Sequence, residues 1–117
     1  MNNTELGAYG EGLASEHLVK KGFKIIDRNY RFGKLEIDLI GLKDDKLVVI
    51  EVKTRNTGEI GEPWRAVTRS KQKQIIKAAD HFIKAKNVDL DVRFDIVSII
   101  CNSYRISIEH IEDAFSP

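Results

Sequence analysis

The chain has 117 residues, of which 42% are hydrophobic and 32% charged, and its net charge is +1 at pH 7. This composition is typical of a soluble globular protein, and the length predicts one domain spanning residues 1–117. The single cysteine, Cys101, excludes an intrachain disulfide and a thiolate metal site, and it favours a reducing, cytoplasmic location. No apolar run approaches the roughly 20 residues of a membrane span, so no membrane association is expected.

A helix is predicted over residues 5–21, capped at Asn3-Thr4 and ended by Gly22. It contains three glycines within about one and a half turns, although each weakens a helix by up to about 1 kcal/mol relative to alanine. Such crowding predicts that the helix backbone approaches another element closely. Glu11 lies among these glycines, and its residue type alone favours a solvated position. The three glycines are Gly7, Gly10 and Gly12.

Three strands are predicted next: one beginning at residues 23–26, one over 35–40 and one over 47–55. Asp44-Asp45 is a plausible tight turn between the last two. An antiparallel hairpin centred on this turn places Asp38 opposite Glu51.

The same register places Glu36 opposite Lys53. Strict alternation predicts that one face of the third strand is core, and that the other begins apolar and ends charged. The predicted core face contains Val48, Ile50, Val52 and Thr54; the other contains Leu47, Val49, Glu51 and Lys53, facing Glu36, Asp38 and Ile40.

The opposed carboxylates of Asp38 and Glu51 would repel each other, since directly opposed Cβ atoms lie about 4.5–5.5 Å apart. A cation between them would remove this repulsion. A hard divalent ion such as Mg²⁺, which prefers oxygen ligands, is the natural choice.

The remainder of the chain predicts a polar loop over residues 56–62, a helix from about 62 or 68 to 86, and two strands at 93–100 and 104–111. The loop is a candidate substrate contact, and Trp64 is a candidate for base stacking or for packing on the core. Asp95 is expected to form a structural hydrogen bond or ion pair, and the three histidines are expected to be structural or surface residues. The element order αβββαββ predicts an α/β sandwich.

Basic residues are concentrated after the third strand. The segment from Lys53 to Lys77 contains seven basic and two acidic residues, which gives it a net charge of +5. Such a concentration of positive charge suits binding to a phosphate backbone. Lys71 and Gln72 lie where the apolar stripe of the second helix meets the polar end of the sheet. The sequence leaves two roles open for Lys71: a solvated side chain or a contact with a phosphate.

Two segments, Glu-Ile-Asp-Leu-Ile at 36–40 and Val-Val-Ile-Glu-Val-Lys-Thr-Arg at 48–55, resemble the metal-binding core of the PD-(D/E)XK nuclease superfamily. Leu35 departs from the usual pattern, which has glycine before the first glutamate. Further motifs narrow the resemblance to the small bacterial YraN-like family, a predicted endonuclease family related to Holliday-junction resolvases. These motifs are Gly10-Glu11, Asn29-Tyr30-Arg31, Ala66-Val67, Arg93-Phe94-Asp95-Ile96-Val97 and Ala114-Phe115.

The resemblance implies a restriction-endonuclease-like αβββαβ(β) sandwich, in which two long helices flank a mixed sheet. It also implies a Mg²⁺- or Mn²⁺-dependent endonuclease that hydrolyses DNA phosphodiester bonds, with branched or junction DNA as the suggested substrate. Symmetric junction cleavage would require a homodimer with two sites about a two-fold axis, and no residue identifies such an interface.

Residue by residue, the resemblance implies that Asp38, Glu51 and the main-chain carbonyl of Val52 hold the metal. Glu11 and Glu36 are further candidate ligands. The implied catalytic residues are Glu11, Asp38, Glu51 and Lys53. The residues expected to contact DNA are Arg55, Arg69, Lys71, Gln72 and Lys73.

Two other functions are open. The first is a nucleic-acid-binding module that keeps the nuclease fold without cleavage, which the nearly neutral net charge would suit. The second is a protein-interaction domain in which the charged side chains form only a surface network. Without the resemblance, the residue types slightly favour this surface network.

Overall fold

A computed structural model describes residues 1–56 and 67–117. The predicted contacts of the 56–62 loop beyond Asn56, and of Trp64, therefore fall outside the described residues. None of the described helices is both long and apolar enough to cross a membrane.

The described elements follow the predicted order αβββαββ. The second helix begins at Arg69 with Thr68 as its N-cap, which agrees with the later of its two predicted starts. The elements are α1 (Asn3–Lys20), β1 (Lys24–Phe32), β2 (Leu35–Lys43), β3 (Lys46–Arg55), α2 (Arg69–Ala85), β4 (Asp91–Cys101) and β5 (Ile106–Phe115).

The five strands form one sheet in the order β1-β2-β3-β4-β5. All neighbours are antiparallel except β3 and β4, which are parallel, so the sheet is mixed. The two helices contribute to different hydrophobic clusters, α2 to one face of the sheet and α1 to the other. The predicted α/β sandwich is confirmed, and the arrangement is compatible with the restriction-endonuclease-like fold.

The central strand β3 is buried on both faces. Leu47 and Val49 pack beneath α2, whereas Val48 and Ile50 pack beneath α1. The predicted core face is confirmed at Val48 and Ile50, and the apolar start of the other face is buried as well. A helix covers each side of the sheet, so alternation along β3 selects between two cores rather than between core and solvent.

The β2–β3 hairpin has the predicted turn and register. Asp44 and Asp45 both have positive φ, at 51° and 61°, as a two-residue type I′ turn requires. The paired residues extend from Lys43 opposite Lys46 to Leu39 opposite Ile50. This ladder ends at the point where Asp38 and Glu51 follow.

Helix α1 approaches β3 closely through one of its glycines. A Cβ added to Gly10 would lie 1.8 Å from Thr54 Oγ1, whereas one added to Gly7 or Gly12 would meet nothing within 4 Å. The predicted close approach is thus confirmed at Gly10. The helix begins at Asn3, two residues earlier than predicted, because Asn2 rather than Asn3-Thr4 forms the N-cap.

Candidate metal centre

Asp38 interrupts the alternation of β2. Ile37 and Ile40 both belong to the core beneath α2, while Leu39 belongs to the core beneath α1. The alternation of side chains therefore breaks at Asp38, although the β1–β2 pairing stays in step on either side of it, and Asp38 Oδ2 accepts a hydrogen bond from the Val52 N–H at 2.8 Å. The prediction that Glu36, Asp38 and Ile40 share one face is wrong, because the carboxylate replaces a main-chain partner of β3.

Glu51 lies beside Asp38 and is almost fully buried, with 4% of its surface exposed. Burial, the hydrogen bond with Asp38 and the negative charge of Asp38 together raise the pKa of Glu51 to about 9. Glu51 therefore keeps its proton at neutral pH and can donate it to Asp38. The hairpin register predicted that the two carboxyl groups lie side by side, and the structure shows them in contact.

Two lysines place positive charge near Glu51. Lys71 Nζ lies 3.8 Å from Glu51 Oε2, and the charges of Lys71 and Lys53 both lower the pKa of this carboxyl group. The 3.8 Å separation is longer than a hydrogen bond, so the ammonium of Lys71 offsets only part of the effect of burial. Lys71 thus reaches the carboxylate pair from α2.

Glu36 does not face Lys53 as predicted. Its Oε2 lies 3.8 Å from the Arg31 guanidinium, and Arg31 is its partner in the β1–β2 ladder. The break in alternation at Asp38 accounts for the difference, because Ile37 lies on the face of Ile40 and Glu36 therefore lies on the opposite face from the predicted one.

Asn29 joins Glu36 to Glu11 on α1. With its amide nitrogen turned toward the carboxylates, Asn29 donates to Glu11 Oε1 at 2.9 Å and to Glu36 Oε1 at 3.0 Å. Partial burial and the charges of Asp38 and Glu36 raise the pKa of Glu11, against a lowering by Asn29. The predicted position of Glu11 near the carboxylate pair therefore agrees with the structure.

Sequence reasoning assigned Asn29 no role at the site. Its φ is 51°, a left-handed conformation that asparagine adopts more readily than most residues. The only signal for it was its place in the motif Asn29-Tyr30-Arg31.

The donor set suits a hard cation. Among residues 1–56 and 67–117, no three Asp, Glu, His or Cys side chains converge on one metal position. Mg²⁺ nevertheless commonly uses one or two protein carboxylates and keeps several waters. Asp38, Glu51 and the Val52 carbonyl meet that requirement, whereas Glu11 and Glu36 are held together by Asn29 beside them.

Arg69 and Gln72, which are predicted to contact DNA, form hydrogen bonds within the protein. Arg69 donates to Gln72 Oε1 at 3.1 Å, and Gln72 Nε2 donates to the Val67 carbonyl at 3.2 Å. Both side chains thereby hold the beginning of α2 in place. Lys73 is exposed on the same helix, and Arg55 is the last residue of β3.

Asp95 has the structural role predicted for it. It accepts two hydrogen bonds from Arg93, at 2.9 and 2.8 Å, one from the Asp113 N–H at 3.0 Å, and it lies 2.7 Å from His110 Nε2. Burial would raise the pKa of Asp95, but these partners together bring it below its usual range. His110 is part of this network, in agreement with its predicted structural role.

The five-stranded mixed sheet between two helices is an α/β sandwich, and it is compatible with the restriction-endonuclease-like fold. The chain itself belongs to the family described as "Uncharacterised protein family UPF0102", whose model matches residues 10–99. This confirms the resemblance to the YraN-like family.

Three relatives show how far the similarity extends. The chain is 43% identical to the UPF0102 protein of Christiangramia forsetii, over 97% of this chain and 95% of the relative. It is 42% identical to that of Phocaeicola vulgatus, over 98% and 95%. It is 44% identical to that of Prosthecochloris aestuarii, over 95% and 93%. These names specify no reaction, so the reaction has to be argued from the site.

Proposed function

We propose that this protein is a metal-dependent endonuclease that hydrolyses DNA. The observation that carries this proposal is the contact between Asp38 and Glu51 where β2 and β3 separate, with Lys53 and Lys71 close to Glu51. Two carboxyl groups supply oxygen ligands, and two ammonium groups supply the positive charge that a phosphodiester requires.

Asp38, Glu51 and the Val52 carbonyl would hold Mg²⁺ or Mn²⁺. When bound, such a metal lowers the pKa of a coordinated water and neutralises charge on the phosphoryl oxygens. Glu51 has to release its proton before it can act as a ligand, and the charges of Lys53 and Lys71 assist that release.

Lys53 lies two residues after Glu51 on β3, and we assign it to the charge that develops on the phosphoryl group. A preorganised cation at this position stabilises the transition state more than the ground state. Lys71 reaches the same place from α2 and would contact the substrate phosphate directly. Glu11 and Glu36, linked by Asn29, add negative charge next to the metal ligands and would act through water or a second ion.

The burial of Glu51 counts against the two other functions. A surface charge network would leave its members solvated, but Glu51 is 4% exposed. A module that only binds nucleic acid gains nothing from two carboxyl groups held in contact, since their negative charge opposes phosphate binding. If the protein were a binding module or a protein-interaction domain, removing one carboxylate would improve or preserve DNA binding and would have no effect on cleavage.

The test is strand cleavage of linear, nicked, flapped and four-way DNA in Mg²⁺ or Mn²⁺. We expect the parent protein to cut at least one substrate, and Asp38→Asn or Glu51→Gln to lower the rate by at least about 100-fold, as loss of an essential electrostatic group does. Asp45→Asn is the matched control, because it removes an exposed carboxylate at the far end of the same hairpin. A parent that cuts none of these substrates, or site variants that cut like the control, would overturn the proposal.

A further inference from the structure

A groove of about 470 Å³ lies between the β1–β2 turn and the first half of α2. Phe32 and Leu35 give it an apolar part, and Lys34, Lys73 and Lys77 line it with positive charge. Its size is that of a site for a nucleotide or another small group rather than for a folded partner.

The charge of this groove selects an anionic ligand. No acidic residue lines it, and within residues 1–56 and 67–117 none of its three lysines forms an ion pair. The lysines come from two separate elements, so they are not simply the solvated face of one helix. An apolar surface bordered by lysines suits a ligand that has both phosphates and flat, weakly polar rings.

The groove lies near the candidate metal centre. Leu35 is three residues before Asp38 on β2, which at about 3.3 Å per residue is roughly 10 Å along the strand. Phosphates of one DNA strand advance about 3.4 Å along the axis of a duplex, and an unpaired strand extends at least as far per nucleotide. A strand whose phosphate lies at Asp38 and Glu51 would therefore reach the groove within about three nucleotides.

The apolar part distinguishes paired from unpaired DNA. The ring of Phe32 is stacked on His81 at 3.9 Å and still lines the groove, so aromatic and aliphatic surface is available to a base. A base inside a duplex is stacked on both sides and paired at its edge, and it cannot contact such a surface. An unpaired base can, and a base–aromatic contact contributes to affinity whatever the sequence.

We infer that this groove binds an unpaired DNA strand next to the scissile phosphate, so that the substrate carries a single-stranded segment. The assignment of the ligand as DNA rests on the proposed function. Lys34, Lys73 and Lys77 contact the phosphates, and Phe32 and Leu35 contact the base.

Binding is tested without cleavage, by fluorescence anisotropy in EDTA, with a labelled oligothymidylate and a duplex of the same length. The groove variant is Lys73→Ala/Lys77→Ala. The matched control is Lys84→Ala/Lys86→Ala, which removes the same charge from exposed positions at the other end of the helix region. Phe32→Leu is a second groove variant that removes the ring and keeps an apolar side chain.

We expect the parent to bind the single strand more tightly than the duplex. The groove variant should lose this preference, and its log–log salt dependence for the single strand should fall by about 1.4, the value for two lost phosphate contacts. Phe32→Leu should weaken single-strand binding about 5-fold or more and leave duplex binding unchanged. The control pair should keep the preference.

A parent that binds duplex at least as tightly, or a lysine groove variant that binds like its control, would overturn the inference. Cleavage in Mg²⁺ separates this result from the nuclease proposal. Groove-dependent binding by a parent that cuts nothing would overturn the nuclease and keep the groove. If the parent cleaves DNA but the groove variants bind like the parent, the groove inference is overturned and the nuclease proposal is kept.

Discussion

At the scale of single residues, Asp95 and Glu51 show how partners decide the state of a buried carboxyl group. Both are buried in neighbouring strands, but Asp95 accepts hydrogen bonds from Arg93 and the Asp113 N–H, and its pKa is lowered. Glu51 meets another carboxyl group, and its pKa is raised to about 9. Asp95 therefore stabilises the fold in its charged form, whereas Glu51 is uncharged at neutral pH until a cation replaces its proton.

Lys53→Ala separates catalysis from binding. Its ammonium is not a metal ligand, and we place its main contact in the transition state. We therefore expect a 10²–10³-fold slower single-turnover cleavage, as for loss of one preorganised donor. Affinity for the same DNA, measured in Ca²⁺ to prevent turnover, should change far less.

Lys46→Ala is the control for this variant, because it removes an exposed lysine at the opposite end of β3. Cleavage by Lys53→Ala at the parental rate, or an equal loss of affinity and rate, would show that Lys53 contributes no specific transition-state stabilisation.

The residues of the site were partly predictable. The acidic turn and the two-residue period of strands were enough to place Asp38 opposite Glu51. The insertion of the Asp38 carboxylate against the Val52 N–H was not predictable, since alternation assumes an unbroken main-chain ladder. The error at Asp38 then carried over to Glu36, whose predicted partner Lys53 is replaced by Arg31.

At the scale of elements, the contact between α1 and β3 positions Glu11. The backbone of α1 meets Thr54 at Gly10, and the next residue is Glu11. A helix without this glycine would lie farther from the sheet, and Glu11 would move away from Asp38 and Glu36. The close approach therefore links the packing of a whole helix to the electrostatics of the site.

Gly10→Ala should destabilise the protein by about 1–3 kcal/mol, the usual cost of forcing extra volume into a packed contact. The added Cβ would lie 1.8 Å from Thr54 Oγ1, so helix or strand has to move. Gly12→Ala is the matched control, because it has open space and should stabilise the helix by up to about 1 kcal/mol. Urea unfolding of both variants measures the difference; equal effects would contradict a specific contact at Gly10.

The order of elements was predictable, but some boundaries were not. The last strand was predicted to end at residue 111, whereas β5 continues to Phe115. Its pairing with β4 is irregular between Phe94 and Ile96, and Asp113 has a φ of 52°. The polar pair Glu112-Asp113 resembles the end of a strand, but the Asp113 N–H binds Asp95 instead and the strand resumes.

At the scale of the whole molecule, charge is unevenly distributed although the net charge is only +1. Carboxyl groups from α1, β2 and β3 meet at the candidate metal centre, and Lys71 of α2 lies beside Glu51. A metal ion is what would make this place attractive to a phosphate. One domain, a cytoplasmic location and a homodimer stay predictions.

The stability of the metal-free protein should depend on pH through Glu51. Its pKa is about 9 in the folded protein against an ordinary value of 4.5, so the folded state keeps a proton that the unfolded state releases. The contribution of this group is therefore fully present below about pH 4.5 and is lost as pH rises toward 9, by up to about 1.4 kcal/mol per pH unit. Glu11, whose pKa is also raised, acts in the same direction.

Glu51→Gln isolates this effect, because glutamine can still donate to Asp38 and has no proton to lose. In EDTA, urea unfolding from about pH 5 to 9 should show the free energy of unfolding of Glu51→Gln gaining steadily on that of the parent. Mg²⁺ or Mn²⁺ should reverse the order at high pH, since metal that binds only the folded parent stabilises it by about 2.7 kcal/mol at 100 times the dissociation constant. Parallel curves in EDTA would mean that Glu51 is ionised in the folded protein. If Mg²⁺ or Mn²⁺ leaves the free energy of unfolding of the parent unchanged, metal binding does not explain why Glu51 is buried beside Asp38.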